Sequence, residues 1–295
     1  MQRFLDPSVL AGISGLDLVA KTVVDGFLSG LHRSPNLGFS QEFAEYRAYT
    51  PGDDPRQIDW NVFARTERCY LKRYRGETNT RLTVLLDASN SMSYSSHPVS
   101  KIDYARFTAA ALFYLTMQIQ RDAAGLIVFD EELRNYIRPS TRHGQLYRLL
   151  GGLEHAEPRA HTDFARPVHQ FQEFLRRRGL VVIVSDFYGS PEQIIRTLEP
   201  LSFHGNEVVL FHVLDPNEIR PKLTGPTTLI DLETGETLEV DPDYARKEYH
   251  RKMDAHLETL RASAHRSRMD YFLLVTDRPL DGALREYLNI RQGRY

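Results

Sequence analysis

Short apolar runs recur along this chain, each followed by a charged or amphipathic stretch, and that alternation predicts the architecture. "RLTVLLD" (81–87), "DAAGLIVFD" (122–130), "GLVVIVSD" (179–186), "NEVVLFHVLD" (206–215) and "MDYFLLVT" (269–276) are almost continuously apolar, as strands covered on both faces should be. Between them, "KIDYARFTAAALFYLTMQIQR" (101–121) carries Ile102, Ala105, Ala109, Leu112, Tyr114 and Ile119 at mostly helical spacing. Further helices are expected over about 143–155, 163–177, 191–203 and 242–267, with a last one in "PLDGALREYL". "ELRNYIRP" (132–139) alternates apolar and polar positions, the signature of an antiparallel edge. The whole predicts an α/β fold: a doubly wound, mostly parallel sheet with helices on both faces.

The first 80 residues follow another grammar. "MQRFLDPSVLAGISGLDLVAKTVVDGF" reads as an amphipathic helix, with Asp6 as N-cap, Pro7 at its first position, and Leu10, Ile13, Leu16 and Val23 turned inward. "EFAEYRAY" and "CYLKRYRGE" are strand candidates divided by the turn "TPGDDPRQ". The expected organisation is an N-terminal helix and small β-rich extension over 1–80, packed on a main domain over 81–295. A hairpin insertion near 224–241 turns at Thr234-Gly235.

Composition narrows the function classes. With 41% hydrophobic and 26% charged residues the chain is an ordinary globular sequence, and its 295 residues suffice for a large core. A formal charge of -2 gives no global attraction to nucleic acid. The Arg/Tyr-rich block from Arg65 to Arg75 is read as a solvated strand face, and "GDDPRQIDW" as an ion-pair and turn network. The histidines show no zinc spacing. Cys69, the single cysteine, excludes an internal disulfide, fits a reducing compartment and reads as a buried strand thiol. Asp6, Asp17, Lys21 and Asp25 interrupt any secretory h-region, and no stretch approaches the roughly 18 apolar residues of a membrane span. The expectation is a cytoplasmic protein.

Candidate chemistry sits where strands end. "TRLTVLLDASNSMSYSS" runs from an apolar strand into Asp87, Ser89 and Ser91 at alternate positions. Asp186 ends another strand, and Thr162 lies in the loop "PRAHTDF" before a helix. In doubly wound sheets, ligands bind outside the carboxyl ends of the strands, so Asp87 and Asp186 fall on one edge and Thr162 within reach. Two carboxylates and three hydroxyls are hard oxygen donors, suited to magnesium or manganese. The competing reading is that Asp87 and the serines only cap a turn.

The order Asp-x-Ser-x-Ser, a loop Thr and a later strand-ending Asp resembles the von Willebrand factor type A (vWA) fold with its metal-ion-dependent adhesion site. The upstream block "GFSQEFAEYRAYTPGDDPRQIDWNVFARTERCYLKRYRGETN", with "HVLDPNEI", "VDPDYARKEY" and "YFLLVTDRPLDGALREYLNIR", resembles domain-of-unknown-function family 58 over nearly the whole chain. That resemblance implies that Ser89 and Ser91 bind Mg2+ (or Mn2+ or Ca2+) through their hydroxyls, Thr162 directly or through water, and Asp87 and Asp186 largely through water. It also implies a non-enzymatic, chaperone-like adaptor that docks an acidic residue of a MoxR-type AAA+ ATPase or of its client. Phe187 and Tyr188 depart from the glycine often found after the last Asp, and predict a bulky rim together with Asn90, Met92 and Tyr94. Two alternatives stay open. One is a magnesium-dependent phosphohydrolase using Asp87, although "DAS" lacks the second Asp of an Asp-x-Asp nucleophile motif and no nucleotide loop or nucleophile elbow is present. The other is a structural vWA domain with an empty site.

Overall fold

The computed structural model describes residues 6–31, 43–49, 58–60, 62–63, 68–74, 81–161, 163–175, 178–203, 205–222, 227–230, 237–240 and 248–292. Its strands, in chain order, are Phe43–Ala48 (β1), Tyr70–Tyr74 (β2), Arg81–Asp87 (β3), Ala123–Phe129 (β4), Leu133–Ser140 (β5), Leu180–Ser185 (β6), Glu207–Leu214 (β7), Thr227–Ile230 (β8), Thr237–Val240 (β9) and Asp270–Val275 (β10). Six of them form one sheet in the order β10-β7-β6-β3-β4-β5. Every neighbouring pair is parallel except β4 and β5, so the alternating segment forms the antiparallel edge. In sheet numbering this is the 3-2-1-4-5-6 order of a doubly wound fold, whose reversal falls between β3 and β6.

Both faces are covered because the strands are apolar on both. Leu85, Ile127, Val181, Ile183 and Leu210 enter one core with Val168, Ile194, Leu198 and Leu260 from the helices Ala165–Phe174, Pro191–Phe203 and His250–Arg266. The helix Lys101–Tyr114 packs against β3 and β7, and touches the helices Gln145–Glu154 and Asp281–Gln292. A π turn, Leu115–Ile119, carries it toward β4.

Differences from the sequence expectation have local causes. The N-terminal helix is interrupted: Asp6 caps Pro7–Leu10 by accepting from Ser8 N at 2.9 Å, and a second helix runs Leu16–Leu31. The break holds Gly15 at φ +92°, a left-handed conformation that glycine adopts without a Cβ clash. The chain divides into two compact units, Met1–Phe27 with Thr80–Tyr295, and Leu28–Asn79, so that one boundary falls at residues 79/80 and another at 27/28. Val19, Ala20, Val23 and Val24 are fully buried, which ties the start of that helix to the larger unit. In the smaller unit β1 and β2 pair antiparallel as expected, but Cys69 is half-buried just ahead of β2 rather than a buried strand thiol. β8 and β9 form the expected hairpin; its turn at Thr234-Gly235 lies outside the described residues. So do most of "GDDPRQIDW" and, in the Arg/Tyr block, Arg65, Thr66, Glu67 and Arg75. Among the described residues no helix is long and apolar enough to cross a membrane.

Two glycines test how tightly the sheet edge is built. A Cβ on Gly125 in β4 would lie 2.7 Å from the ring and nitrogen of Pro139 in β5, whereas one on Gly151, inside the helix Gln145–Glu154, would meet nothing within 4 Å. Gly125→Ala is expected to lower unfolding free energy by about 1–3 kcal/mol. Gly151→Ala is expected to raise it by about 0.5–1 kcal/mol through helix propensity. Urea denaturation checks both; equal effects would contradict the close β4–β5 approach.

Candidate functional site

Parallel register brings the two carboxylates together. On β3 and β6 Leu86 lies opposite Val184, so the chains leave the sheet side by side at Asp87 and Ser185–Asp186. Asp87, Ser89, Ser185 and Asp186 are all fully buried and Ser91 nearly so. One Asp87 oxygen accepts from Ser89 N at 2.9 Å and the other from Ser185 Oγ at 2.5 Å. The Ser89 and Ser91 hydroxyls lie 3.0 Å apart. Burial, followed by the negative charge of Asp186, pushes the Asp87 carboxyl up to about 7, against the pull of the Ser185 and Ser89 hydrogen bonds.

Asp186 is half-satisfied. Its Oδ2 accepts from the Lys101 ammonium at 2.7 Å, while its buried Oδ1 has no hydrogen-bond partner among the described residues. Lys101 is itself wholly buried, and donates also to Glu218 Oε1 at 2.7 Å under the ring of Tyr188, whose centroid is 4.9 Å away. Despite burial, these two carboxylates hold the ammonium above the usual lysine range. The chain Asp87–Asp186–Lys101–Glu218 thus sets three carboxylates against one ammonium in a desolvated place.

The surrounding loops are cross-tied. Asn90 N donates to Ala160 O at 3.0 Å, and Arg159 N to Ala88 O at 2.8 Å, which lashes the Asp-x-Ser-x-Ser loop to the segment leading to residue 162. Asp215 accepts from Ser96 N and Oγ and caps the short helix Pro216–Ile219, whose Glu218 Oε2 accepts in turn from Asp215 N. Asn217 Nδ2 donates to Tyr94 Oη, and Tyr249 Oη to Glu218 O.

Four of the five residues expected to bind metal therefore meet at the β3/β6 edge, and Thr162 lies outside the described residues. Among those residues no three His, Cys, Asp or Glu side chains converge as a metal cluster, so any cation there draws on hydroxyls as well as carboxylates. The expected rim is corrected in part: Met92 and Phe187 are fully buried, leaving Tyr188 exposed and Asn90 and Tyr94 half-buried. Phe187 turns inward at φ +46° and stacks on Phe164, centroids 5.7 Å apart. Lys101, Glu218 and Ser185 were not among the expected residues. Lys101 lies on the helical face of the buried Tyr104, Ala105 and Thr108, and "DPNE" is a legible capping box.

Sheet order and site together define a doubly wound α/β domain with buried carboxylates and hydroxyls at its switch point. Residues 45–259 match the family described as "Protein of unknown function DUF58", and the chain belongs to that family. Uncharacterized proteins of Mycobacterium tuberculosis and Mycobacterium bovis are 30% identical over 254 residues, covering 85% of this chain and 80% of theirs. Similar solved structures include the conserved hypothetical protein BatB from Bacteroides thetaiotaomicron (14% identity, TM-score 0.47, 72% of this chain and 98% of that one). The SpRpn10 VWA domain is another (11% identity, TM-score 0.44, 70% and 94%). The strand order, rather than these likenesses, carries the fold assignment.

Two predictions follow from the buried charges. Lys101→Met strips Asp186 and Glu218 of their counter-charge and should cost about 3–5 kcal/mol in urea unfolding, with partial recovery on adding Glu218→Gln. An unchanged midpoint would mean the ammonium is not a structural counter-ion. His212, opposite Ser185 on β7, is fully buried; its Nδ1 meets Tyr271 Oη at 2.8 Å, and Phe187 and His256 flank its ring. Burial pushes its imidazole down to about 3, with Asp186 opposing and His256 and Lys101 assisting. Between that value and the unfolded value near 6.5, the unfolded chain binds the extra proton, so stability falls as pH drops. Acidification from pH 7 to 4 should cost wild type roughly 2–4 kcal/mol more than His212→Asn. Parallel unfolding curves for the two proteins across that range would refute it.

Proposed function

We propose that this chain is a non-enzymatic protein-interaction module in which Asp87, Ser89, Ser91, Thr162 and Asp186 hold a divalent cation, with Mg2+ first and Mn2+ or Ca2+ as alternatives. The observation that carries this reading is the buried Oδ1 of Asp186, without a hydrogen-bond partner among the described residues, beside an Asp87 whose carboxyl is held high by burial and then by the Asp186 charge. Three carboxylates face one ammonium, so negative charge is left to balance whenever Asp87 is ionised, and the available donors are all oxygen. A bound ion of this kind supplies an open coordination position for a carboxylate from another protein. The docking partner we propose is a MoxR-type AAA+ ATPase or its client, presenting an Asp or Glu. Tyr188 offers an exposed aromatic contact beside the site.

A phosphohydrolase fits less well. Asp87 is fully buried and both its oxygens already accept hydrogen bonds, so neither is presented as a nucleophile. The structural alternative has a specific observation in its favour, since Lys101 already neutralises one oxygen of Asp186. Calorimetric titration with Mg2+ separates the readings. Saturable binding that weakens by about 10–100-fold in Asp87→Ala supports the cation site. No binding of Mg2+, Mn2+ or Ca2+ in the millimolar range would favour the structural domain, and magnesium-dependent hydrolysis of a phosphate ester lost in Asp87→Asn would favour the enzyme. For the partner, a pull-down with the ATPase should lose recovery in EDTA and in the Ser89→Ala, Ser91→Ala double variant. Recovery unchanged in both would move docking off this edge.

A further inference from the structure

Lys101 places a fixed positive charge among the oxygens that the cation reading assembles. Its ammonium donates to Asp186 Oδ2 and to Glu218 Oε1, each at 2.7 Å, and the side chains of Lys101 and Asp186 are wholly buried. The ammonium is anchored from both sides. Lys101 opens a helix whose cap, Ser100, accepts from Asp103 N, so its stem starts from a fixed backbone. Glu218 is held in turn, because its Oε2 accepts from Asp215 N at 2.9 Å. The rings of Tyr188 and Tyr94 stand 4.9 and 6.0 Å from Nζ, where their faces favour a cation.

The ammonium takes only one oxygen of Asp186. The other, Oδ1, is equally buried and has no hydrogen-bond partner among the described residues. A divalent ion using Oδ1 therefore shares one carboxylate with the ammonium, and like charges that close repel strongly where water is excluded. Glu218 acts in the opposite sense, since its negative charge offsets that of the ammonium it holds. Lys101 thus acts on a cation through Asp186, and Glu218 acts through Lys101. Neither residue needs to touch the ion to set how well the site holds it.

Resting on the cation reading, we propose that Lys101 is the affinity-setting residue of the site: a tethered internal cation that shares Asp186 with the divalent ion and keeps the affinity low, with Glu218 as the counter-charge that moderates it. The test is calorimetric titration of the full chain with Mg2+ in wild type, Lys101→Met, Glu218→Gln and the combined variant. Lys101→Met should bind about tenfold or more tighter than wild type, and Glu218→Gln about three- to tenfold weaker, with the combined variant between Lys101→Met and wild type. A merely structural role would weaken binding in all three. Should Lys101→Met fold poorly, the combined variant carries the comparison, because it removes one of the two carboxylates left without counter-charge. At one fixed Mg2+ concentration, the urea midpoint of the combined variant should also rise by more than that of wild type. Wild-type binding that is unchanged or weaker in both Lys101 variants overturns the inference and leaves the cation reading standing, as does tighter binding by Glu218→Gln. No Mg2+ binding by any of the four proteins overturns the cation reading and the inference with it. Binding that emerges only once Lys101 is removed upholds the inference and overturns the cation reading for the native chain.

Discussion

Parallel pairing of β3 with β6 forces two carboxylates out of water side by side, and much of the carboxyl edge of the sheet is organised around that juxtaposition. The register that puts Leu86 opposite Val184 releases Asp87 and Asp186 together, in a place where neither is exposed. Buried like charges are costly, and the cost has to be met by protonation, by hydrogen bonds or by counter-charge. All three appear. Asp87 is held near 7 and takes two hydrogen bonds, and Asp186 takes the ammonium of Lys101. What is left over is one oxygen of Asp186.

The counter-charge also explains how distant loops come to one place. Lys101 begins a helix capped by Ser100, so its ammonium is positioned by the helix as well as by its partners. Through Glu218 it fixes the capping box after β7, and that segment in turn holds Tyr94 and accepts from Tyr249. Breaking a buried ion pair on one side leaves an uncompensated charge on the other, so these contacts stand or fall as a group. A single lysine therefore couples the Asp-x-Ser-x-Ser loop region, the end of β6 and the end of β7.

The sheet was legible because its strands are apolar on both faces and its edge strand is not; "GLVVIVSD" and "ELRNYIRP" announce opposite positions in the sheet. The N-terminal helix was misread as continuous because its apolar spacing persists through Gly12–Gly15, and periodicity carries no information about a positive φ at Gly15. The site was half legible. Asp87, Ser89 and Ser91 declare themselves within five residues, whereas the Lys101 contacts span 85 and 117 residues of sequence and exist only once β6 and β7 flank β3's neighbourhood. Phe187 and Met92 looked like rim residues because they follow exposed-sounding loop positions. The left-handed turn at Phe187 sends its ring into the core instead, against Phe164 and His212.

The two ends of the sheet answer to different physics. At the carboxyl end the charges are buried, so each needs an internal partner and a substitution there acts on the fold before it acts on any ligand. At the amino end Arg81 and Arg138 remain partly hydrated, so their charge is kept by solvent and their loss leaves no buried charge unpaired. Arg81 and Asp87 are the first and last residues of β3, roughly 20 Å apart at strand rise. Asp87 is fully buried and little screened by salt, so it is distance that weakens its coupling to Arg81. One buried strand therefore joins a desolvated acidic end to a hydrated basic one, and a change at either end reaches the other chiefly through β3's packing.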